Sequence, residues 1–145
     1  MARRKSHDRD SQRSGLITGD NGRDAITGSS GDDSIYGYGD RDTLSGAGGN
    51  DQLFGGDGND YLVGGDGDDI LYGEDDKDTL SGGNGNDALY GGNGKNSLFG
   101  NNGDDFLLGG DDKDTLSGGS GNDTLSGGAG NDALRDDSGN NYFDG

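Results

Sequence analysis

Aspartate recurs at one position of a nine-residue unit that is repeated without insertion or deletion. The unit reads Gly-x-x-Gly-x-Asp-x-Leu-x, begins at Gly19 and occurs fourteen times. Its clearest copies begin at Gly55 and Gly82. Carboxylates and the carbonyl oxygens of glycine-rich turns form the all-oxygen cage that suits Ca²⁺, which takes about six to eight oxygen ligands. The spacing therefore predicts a row of calcium sites.

Other metals fit these residues less well. The chain has no cysteine and a single histidine, His7, so the repeats do not supply the thiolate and imidazole ligands that zinc and copper prefer. Mg²⁺ demands stricter octahedral geometry and keeps its waters. Calcium is therefore the predicted ion.

The repeat also predicts how the chain folds. Its first six residues form a turn, because glycine permits positive φ. The next three form a short strand whose middle side chain points inward. Successive repeats then lie on opposite sides, so two repeats, or eighteen residues, make one coil. The prediction is an all-β solenoid with two parallel, short-stranded sheets and about seven coils, stacked about 4.8 Å apart.

Stacked coils bring the sixth-position aspartates close together, and carboxylates at that separation repel unless a cation lies between them. Composition points the same way. Only 24% of the residues are hydrophobic, 35 are glycine, and the net charge is −18, a combination that is typical of disordered chains. A register kept over fourteen repeats argues against plain disorder. We therefore expect a chain that folds only when cations neutralise its carboxylates.

Two regions are predicted, with the boundary between residues 18 and 19. Residues 1–18 have a net charge of +3 and form a basic, mobile tail, in which Leu16 and Ile17 are expected to cover the end of the core. Residues 19–145 have a net charge of −21 and form the calcium-binding roll. The tail is interpreted as a leader or as a segment that docks on the acidic roll. Contact with an anionic surface is the alternative, and no nucleic-acid partner is predicted.

Membrane and export signals are limited. No apolar run approaches the roughly 20 residues of a transmembrane helix. The basic N-terminus is not followed by the apolar segment of a cleaved signal peptide. Either the chain stays in the cytosol, or it leaves the cell by a route that does not use such a peptide.

Over residues 19–145 the repeats resemble the calcium-binding β-roll of the repeats-in-toxin (RTX) family, which occurs in secreted bacterial toxins, proteases, lipases and surface-layer proteins. The resemblance implies a right-handed parallel β-roll, calcium between successive turns on both edges, and export by a type I secretion machine. It also implies a chain that is disordered at low cytosolic calcium and folds outside the cell. The expected localisation is therefore extracellular.

In that family the sixth-position aspartates of two stacked turns chelate each ion, together with turn carbonyls. The matching aspartates here are Asp24, Asp33, Asp42, Asp51, Asp60, Asp69, Asp78, Asp87, Asp105, Asp114, Asp123 and Asp132. The candidate carbonyl ligands are those of Gly56, Gly58, Gly65, Gly67, Gly83, Gly85, Gly92, Gly94, Gly119, Gly121, Gly128 and Gly130.

Several repeats depart from the pattern. Asn96 and Asn141 replace the sixth-position aspartate, so weaker binding is expected at their turns. Asp40, Asp76 and Asp112 replace the second glycine of the turn and are expected to disturb its carbonyl geometry. Fourteen repeats leave at most twelve gaps between stacked turns, of which we expect roughly eight to ten to hold calcium.

The two edges of the roll differ in charge. Counting from the repeat at Gly19, the turns of odd repeats form the odd edge and those of even repeats the even edge. All basic residues at the fifth position belong to the odd edge: Arg23, Arg41, Lys77, Lys95 and Lys113. We predict that calcium affinity at the even edge falls fastest as salt rises. Drift after duplication of the repeats is the alternative explanation of this pattern.

The two outward faces differ as well. The face of the even repeats, here called the aromatic face, carries Tyr36, Phe54, Ile70, Tyr72, Tyr90, Phe106 and Leu108. Such a face is a candidate surface for self-association or adhesion, and cross-strand stacking that stiffens the sheet is the alternative. The opposite face is mostly threonine and serine, which resembles ice-binding solenoids, but Tyr61, Val63 and Phe99 interrupt it.

The predicted function is calcium binding coupled to folding, in a structural module that assists secretion or assembly outside the cell. Adhesion or self-assembly through the aromatic face is the alternative. Catalysis is not expected, because the carboxylate pairs repeat alike and a leucine-filled interior leaves no substrate cavity.

Overall fold

The computed structural model describes residues 15–145, which form fifteen β-strands joined by tight turns. The strands are β1 (Leu16–Thr18), β2 (Ala25–Thr27), β3 (Ser34–Gly39), β4 (Thr43–Gly48), β5 (Gln52–Asp57), β6 (Tyr61–Asp66), β7 (Ile70–Asp75), β8 (Thr79–Asn84), β9 (Ala88–Gly92), β10 (Ser97–Asn102), β11 (Phe106–Asp111), β12 (Thr115–Ser120), β13 (Thr124–Ala129), β14 (Ala133–Arg135) and β15 (Tyr142–Asp144). The all-β prediction is confirmed. Within the described residues no helix is long and apolar enough to cross a membrane.

Successive strands alternate between two parallel sheets. The odd-numbered strands form an eight-stranded sheet and the even-numbered strands a seven-stranded sheet. Each residue pairs with the residue eighteen positions away, as Leu53 does with Leu71 in one sheet and Leu62 with Leu80 in the other. This register confirms the predicted solenoid of eighteen residues per coil and about seven coils.

Most strands are longer than the predicted three residues. β3, for example, runs for six residues, from the seventh position of one repeat through the third position of the next. The expectation of a six-residue turn is therefore wrong. The second and third turn residues pair with the neighbouring coils, as Tyr38 does with Gly56, so the strands continue through the first half of the turn. The second residue has positive φ, 82° at Tyr38 and 105° at Gly56, so the chain already bends there.

A single column of aliphatic side chains fills the interior. The eighth-position residues from Ile26 to Leu125 are at most 2% exposed. Leu134 and Ile17 pack against this column as partly buried residues. At the C-terminal coil Phe143 is 48% exposed, so it does not complete the interior as the repeat pattern predicts.

The first strand lies on the N-terminal side of the expected boundary at residue 19. Leu16–Thr18 pair with Ser34–Tyr36 of β3, and Ile17 contacts the core. Leu16 is 71% exposed. The roll therefore begins three residues earlier than the repeat pattern predicts, because an apolar residue at the eighth-position register extends the interior column. Residues 1–14, which include most of the predicted basic tail, lie outside the described residues.

Candidate metal centre

The sixth-position aspartates lie in the turns, directly before the strands, where stacking places them in two rows. Eleven of the twelve predicted aspartates are buried, with exposed fractions of 4% or less, and Asp132 in the C-terminal coil is partly exposed. The chain buries them because each aspartate lies between the tight bend and a strand, two residues before the eighth-position side chain that enters the core. These carboxyls therefore lie inside the stack of turns.

From Asp33 onwards, one oxygen of each carboxyl accepts a hydrogen bond from the backbone of the preceding coil. The backbone N–H of Asp24 donates to Oδ1 of Asp42 at 2.7 Å, and that of Asp42 donates to Oδ1 of Asp60 at 2.7 Å. The same bond recurs eighteen residues apart on the other edge, where the N–H of Asp51 donates to Oδ1 of Asp69 at 2.7 Å. Each carboxyl therefore lies in the gap between its own turn and the turn of the preceding coil.

The second oxygen is the unusual feature. In nine of the predicted aspartates Oδ2 is buried without a hydrogen-bond partner. These are Asp42, Asp51, Asp60, Asp69, Asp78, Asp87, Asp105, Asp114 and Asp123. A buried carboxylate oxygen without a partner is costly. Nine recurrences at equivalent positions indicate a feature of the fold rather than a local defect.

The first two turns satisfy both carboxyl oxygens. Oδ2 of Asp24 accepts a hydrogen bond from the N–H of Asp20 at 2.8 Å. Oδ2 of Asp33 accepts from the N–H of Ser29 at 2.6 Å and from its hydroxyl at 2.9 Å. The second residues of these two turns, Asp20 and Ser29, do not have positive φ, whereas the second residues of the following turns, from Tyr38 to Gly128, do. Oδ2 of these two N-terminal carboxyls is therefore hydrogen-bonded within its own turn and is not left without a partner.

Glycine at the first position makes room for the unpaired oxygen. A Cβ added to Gly55 would lie 2.5 Å from Oδ2 of Asp60 and 2.8 Å from the carbonyl oxygen of Gly73 in the next coil. The same two atom types surround most first-position glycines. A first-position carbonyl oxygen of the next coil therefore lies close to the space that Oδ2 faces. The repeat pattern did not single out these carbonyls, although glycine at the first position of every repeat except the last, which begins with Asp136, was a signal for them.

The twelve glycines predicted as carbonyl ligands all have positive φ, from 90° to 158°. For five of them the carbonyl oxygen projects towards the next coil, where it would overlap a Cβ on the glycine above it. These five are Gly65, Gly67, Gly85, Gly92 and Gly121. Both the positive φ and the approach from below favour glycine in the stacked turns, although seven non-glycine residues, Ala47 among them, also have positive φ.

Carboxylates alone do not make a complete cation site here. Within residues 15–145 no three carboxylates or imidazoles converge on one point. An ion between two coils would therefore take its six to eight or so ligands from stacked carboxyls and main-chain carbonyls together.

The family model of the RTX calcium-binding nonapeptide repeat, which spans four copies of the repeat, matches the chain five times. The matched segments are residues 18–53, 54–89, 81–116, 90–125 and 117–145, which together span residues 18–145. The chain belongs to the RTX calcium-binding nonapeptide repeat family. No curated protein matches it.

Membership of the RTX repeat family identifies the ion. RTX repeats bind Ca²⁺, and their β-roll is a structural calcium-binding module of bacterial repeat proteins that are typically secreted. It is not a known catalytic fold. The unpaired Oδ2 atoms, with first-position carbonyl oxygens nearby, fit a hard cation, because Ca²⁺ prefers oxygen donors and these carboxyl oxygens lack protein partners.

Burial strongly affects proton binding in the RTX turns. Loss of water on burial raises the pKa of Asp69, Asp78 and Asp105 to about 7, and hydrogen bonds from the preceding coil lower it only in part. The pKa values of five further carboxyls rise to about 6 for the same reason; these are Asp42, Asp51, Asp60, Asp87 and Asp114. Neighbouring aspartates add smaller increases. The gaps therefore attract either a proton or a cation near neutral pH.

Asparagine replaces the upper carboxyl of one RTX gap on each edge, and Asn96 also lies below the gap of Asp114. Oδ1 of Asn96 accepts from the N–H of Asp78 at 2.9 Å, as an aspartate would. Its Nδ2 occupies the place of Oδ2 and donates to the carbonyl of Gly94 at 3.3 Å. The amide of Asn141 similarly accepts from the N–H of Asp123 and donates to Ser138. In both gaps a donor replaces an acceptor that a cation would use.

Asp40, Asp76 and Asp112 adopt the left-handed conformation of the glycine that they replace, with φ of 64°, 77° and 71°. The turn direction is therefore kept, although stacked glycines such as Gly58 and Gly67 have φ near 130°. Their carbonyl oxygens still project towards the next coil, where they would overlap a Cβ added to Gly58, Gly94 or Gly130, so they keep the direction of the glycine carbonyls. The positive φ does strain the backbone, because non-glycine residues disfavour this region.

The even edge carries a second hydrogen-bond row outside the carboxyls. At the fifth position the side-chain oxygen accepts the N–H of the next coil, as Asp68 does from Asn86 at 2.7 Å and Asn86 does from Asp104 at 2.8 Å. Aspartate and asparagine alternate from Asp32 to Asn122, which keeps these carboxylates two coils apart. On the odd edge, lysine and arginine cannot accept such bonds. The even edge is thus more firmly tied together.

Proposed function

We propose that Ca²⁺ ions bind between stacked turns on both edges and that this binding drives folding of the roll. The observation that carries the proposal is the set of nine buried Oδ2 atoms without partners. Each belongs to a different gap, and in eight of these gaps the turn below also supplies a sixth-position aspartate. Calcium between the two turns would neutralise charges that otherwise oppose burial.

The site residues of this proposal are the twelve sixth-position aspartates, with turn carbonyls as further ligands. The first-position carbonyls join the twelve predicted glycines as candidates, since they border the same oxygens. Nine of the twelve gaps contain an unpaired Oδ2. This number agrees with the expected eight to ten calcium ions. The gaps closed by Asn96, Asp132 and Asn141 are the proposed weak sites.

The charge of the chain supports coupling between calcium and folding. A net charge of −18 with 24% hydrophobic residues leaves little to drive collapse. Calcium binds the stacked state and not the extended chain, so it shifts the equilibrium towards the roll by mass action. At low calcium the chain would stay unfolded.

In cells we propose that the unfolded, calcium-poor chain is exported through a type I secretion machine and folds outside, where calcium is abundant. The role is structural: the roll would assist secretion or extracellular assembly, and it is not proposed to be an enzyme. Family membership supports this role, since RTX repeat proteins are typically secreted.

Circular dichroism and isothermal titration calorimetry test the proposal. In excess chelator at neutral pH the spectrum should be that of an unfolded chain, and calcium should convert it to β structure with about nine ions bound per chain. The same concentration of Mg²⁺ should convert less of it. A β spectrum in chelator, or fewer than four ions at saturation, would contradict the proposal.

The aromatic face supports a second candidate function, adhesion or self-assembly. Tyr36, Phe54 and Tyr72 stack in sequence, with ring centroids 4.5 and 5.0 Å apart and planes within 9° of parallel. Tyr90 continues the stack at 4.9 Å. Stacking stiffens the sheet, and it also leaves a continuous apolar row on the surface.

A further inference from the structure

The aromatic face occupies the outer surface of the eight-stranded sheet. Its stacked rings are partly exposed, and Phe106, tilted by 51° against Tyr90, is 37% exposed. Tyr38 extends the row beyond Tyr36 and is 50% exposed. On the opposite sheet the same ninth position is polar in five of seven coils and apolar only at Val63 and Phe99. The continuous apolar row is therefore confined to one face of the roll.

The odd edge carries cations that find no partner within the roll. Its five fifth-position bases are exposed. Among residues 15–145 the only ion pair joins Arg135 and Asp137, at 3.9 Å. The even edge exposes Asp32, Asp68 and Asp104 at the corresponding positions and no base. At the fifth position the two edges therefore carry opposite charges, although Asp40, Asp76 and Asp112 adjoin three of the bases.

We propose that the calcium-loaded roll forms a homodimer in which the aromatic faces of two copies pack together with their long axes parallel. This inference rests on the proposed function, since calcium is needed to order the roll. It names the second copy as the occupant of the face, on the basis of charge complementarity and available area.

Charge selects the parallel arrangement. A two-fold axis parallel to the roll places the odd edge of each copy beside the even edge of the other, at the same coil height. A two-fold axis across the roll would instead place odd beside odd and even beside even. In the parallel dimer Asp32 shares its coil with Arg23, Asp104 shares its coil with Lys95, and a base lies one coil away on each side of Asp68. Opposite charges at the fifth position favour this register.

The available area suits a dimer of modest affinity. Seven coils spaced by about 4.8 Å, with strands of about six residues, make each face roughly 34 by 20 Å, or about 680 Å². Two such faces bury about 1,360 Å², which is within the range of specific interfaces. Sheets packed in this way lie about 10 Å apart, which the aromatic side chains fill.

Sedimentation velocity in saturating calcium tests the interface. The wild type should sediment as a dimer, and the double variant Phe54→Ser with Tyr72→Ser should sediment as a monomer, with a dimer dissociation constant at least tenfold higher. The matched control is Tyr61→Ser with Phe99→Ser, which removes two aromatic rings from the opposite sheet and should leave the dimer intact. A monomeric wild type, or equal loss of dimer in both double variants, would overturn the proposal.

Crosslinking tests the orientation. The chain has no cysteine, so Lys77→Cys and Asp68→Cys each introduce a single thiol, one on each edge. When the two variants are mixed and treated with a short bis-maleimide, the parallel dimer should give mainly the mixed 77–68 product. Predominance of 77–77 and 68–68 products would identify the antiparallel arrangement and refute the parallel one.

Circular dichroism of the same samples separates the two proposals. A calcium-dependent β spectrum with a monomeric mass would refute the dimer and leave calcium-driven folding standing. Absence of any calcium-dependent change, with a dimer present in chelator, would refute calcium-driven folding and the calcium-loaded dimer together.

Discussion

Oδ1 of Asp78 accepts a hydrogen bond from the backbone N–H of Asp60 at 2.8 Å, whereas Oδ2 of Asp78 is buried without a partner. The first bond holds the two coils in register. The second oxygen is left for a proton or a cation. This division of one carboxyl between structure and ion binding recurs along both edges, and the predictions below depend on it.

Exchange of aspartate and asparagine at the sixth position should change the number of bound ions. Asp69→Asn keeps the Oδ1 acceptor, as Asn96 does, but removes the charge and replaces Oδ2 with a donor. We expect one ion fewer per chain by calorimetry and a calcium midpoint of folding about twofold higher. Asn96→Asp should add one ion. The control Asp68→Asn alters an exposed neighbour, and its ion count should not change; a loss there equal to that of Asp69→Asn would contradict the assignment.

The calcium-free roll should become more stable as pH falls. Burial raises the pKa of Asp69, Asp78 and Asp105 from 3.8 to about 7. The folded state therefore binds more protons than the unfolded chain, and its free energy of unfolding rises as pH falls from about 7 to about 4. In chelator, circular dichroism should show more β structure at about pH 4.5 than at about pH 7.5.

A salt control separates protonation from general charge screening. About 1 M sodium chloride at neutral pH screens the charges without protonating the buried oxygens, so it should restore much less β structure than acid does. Equal spectra at the two pH values would show that these carboxyls do not gain protons on folding.

Gly55→Ala should destabilise the roll through a steric clash. The added Cβ would lie 2.5 Å from Oδ2 of Asp60 and 2.8 Å from the carbonyl of Gly73. We expect a loss of about 1–3 kcal/mol in the free energy of unfolding in calcium. Gly39→Ala is the matched control, because its nearest neighbour would lie at 3.8 Å. Denaturant titration of both variants measures the difference, and equal effects would rule out the clash.

Asp76→Gly should stabilise the roll by relieving backbone strain. Asp76 has φ of 77°, a conformation that costs a non-glycine residue about 1 kcal/mol or more. We expect a gain of about 1 kcal/mol and a lower calcium midpoint. Asp76→Asn removes the charge but keeps a side chain, so the strain of positive φ remains in part. Its gain in the free energy of unfolding should therefore be smaller than that of Asp76→Gly. A larger gain for Asp76→Asn would attribute the effect to charge instead.

Salt should weaken calcium binding more at the even edge than at the odd edge. The fifth position there carries aspartate and asparagine but no base, so the attraction for calcium depends on unneutralised carboxylates that salt screens. Calcium titrations followed by NMR at about 0.05 and 0.5 M salt should show the larger loss of affinity at Asp69 and Asp87 than at Asp60 and Asp78. Equal shifts at the two edges would refute this.

The sequence alone determined the period of the solenoid, its aliphatic interior and the rows of candidate ligands. Those features are local, because each follows from a residue at a fixed position in the repeat. Glycine determines the turn, aspartate the position of the carboxyl and leucine the side chain that points inward. Asp42, Leu44 and Gly58 were placed correctly on this basis. The family motif strengthened the choice of calcium.

Only the tertiary structure decided how neighbouring coils meet. Contacts between residues eighteen apart depend on the stacking of whole turns, which no single repeat encodes. They extend the strands to six residues, divide each carboxyl into a bonded Oδ1 and a free Oδ2, and close the turns of Asp24 and Asp33 upon themselves. They also bring the carbonyl of Gly73 beside Asp60. These features arise because stacking sets the distance between coils, and that distance determines which oxygens keep a protein partner.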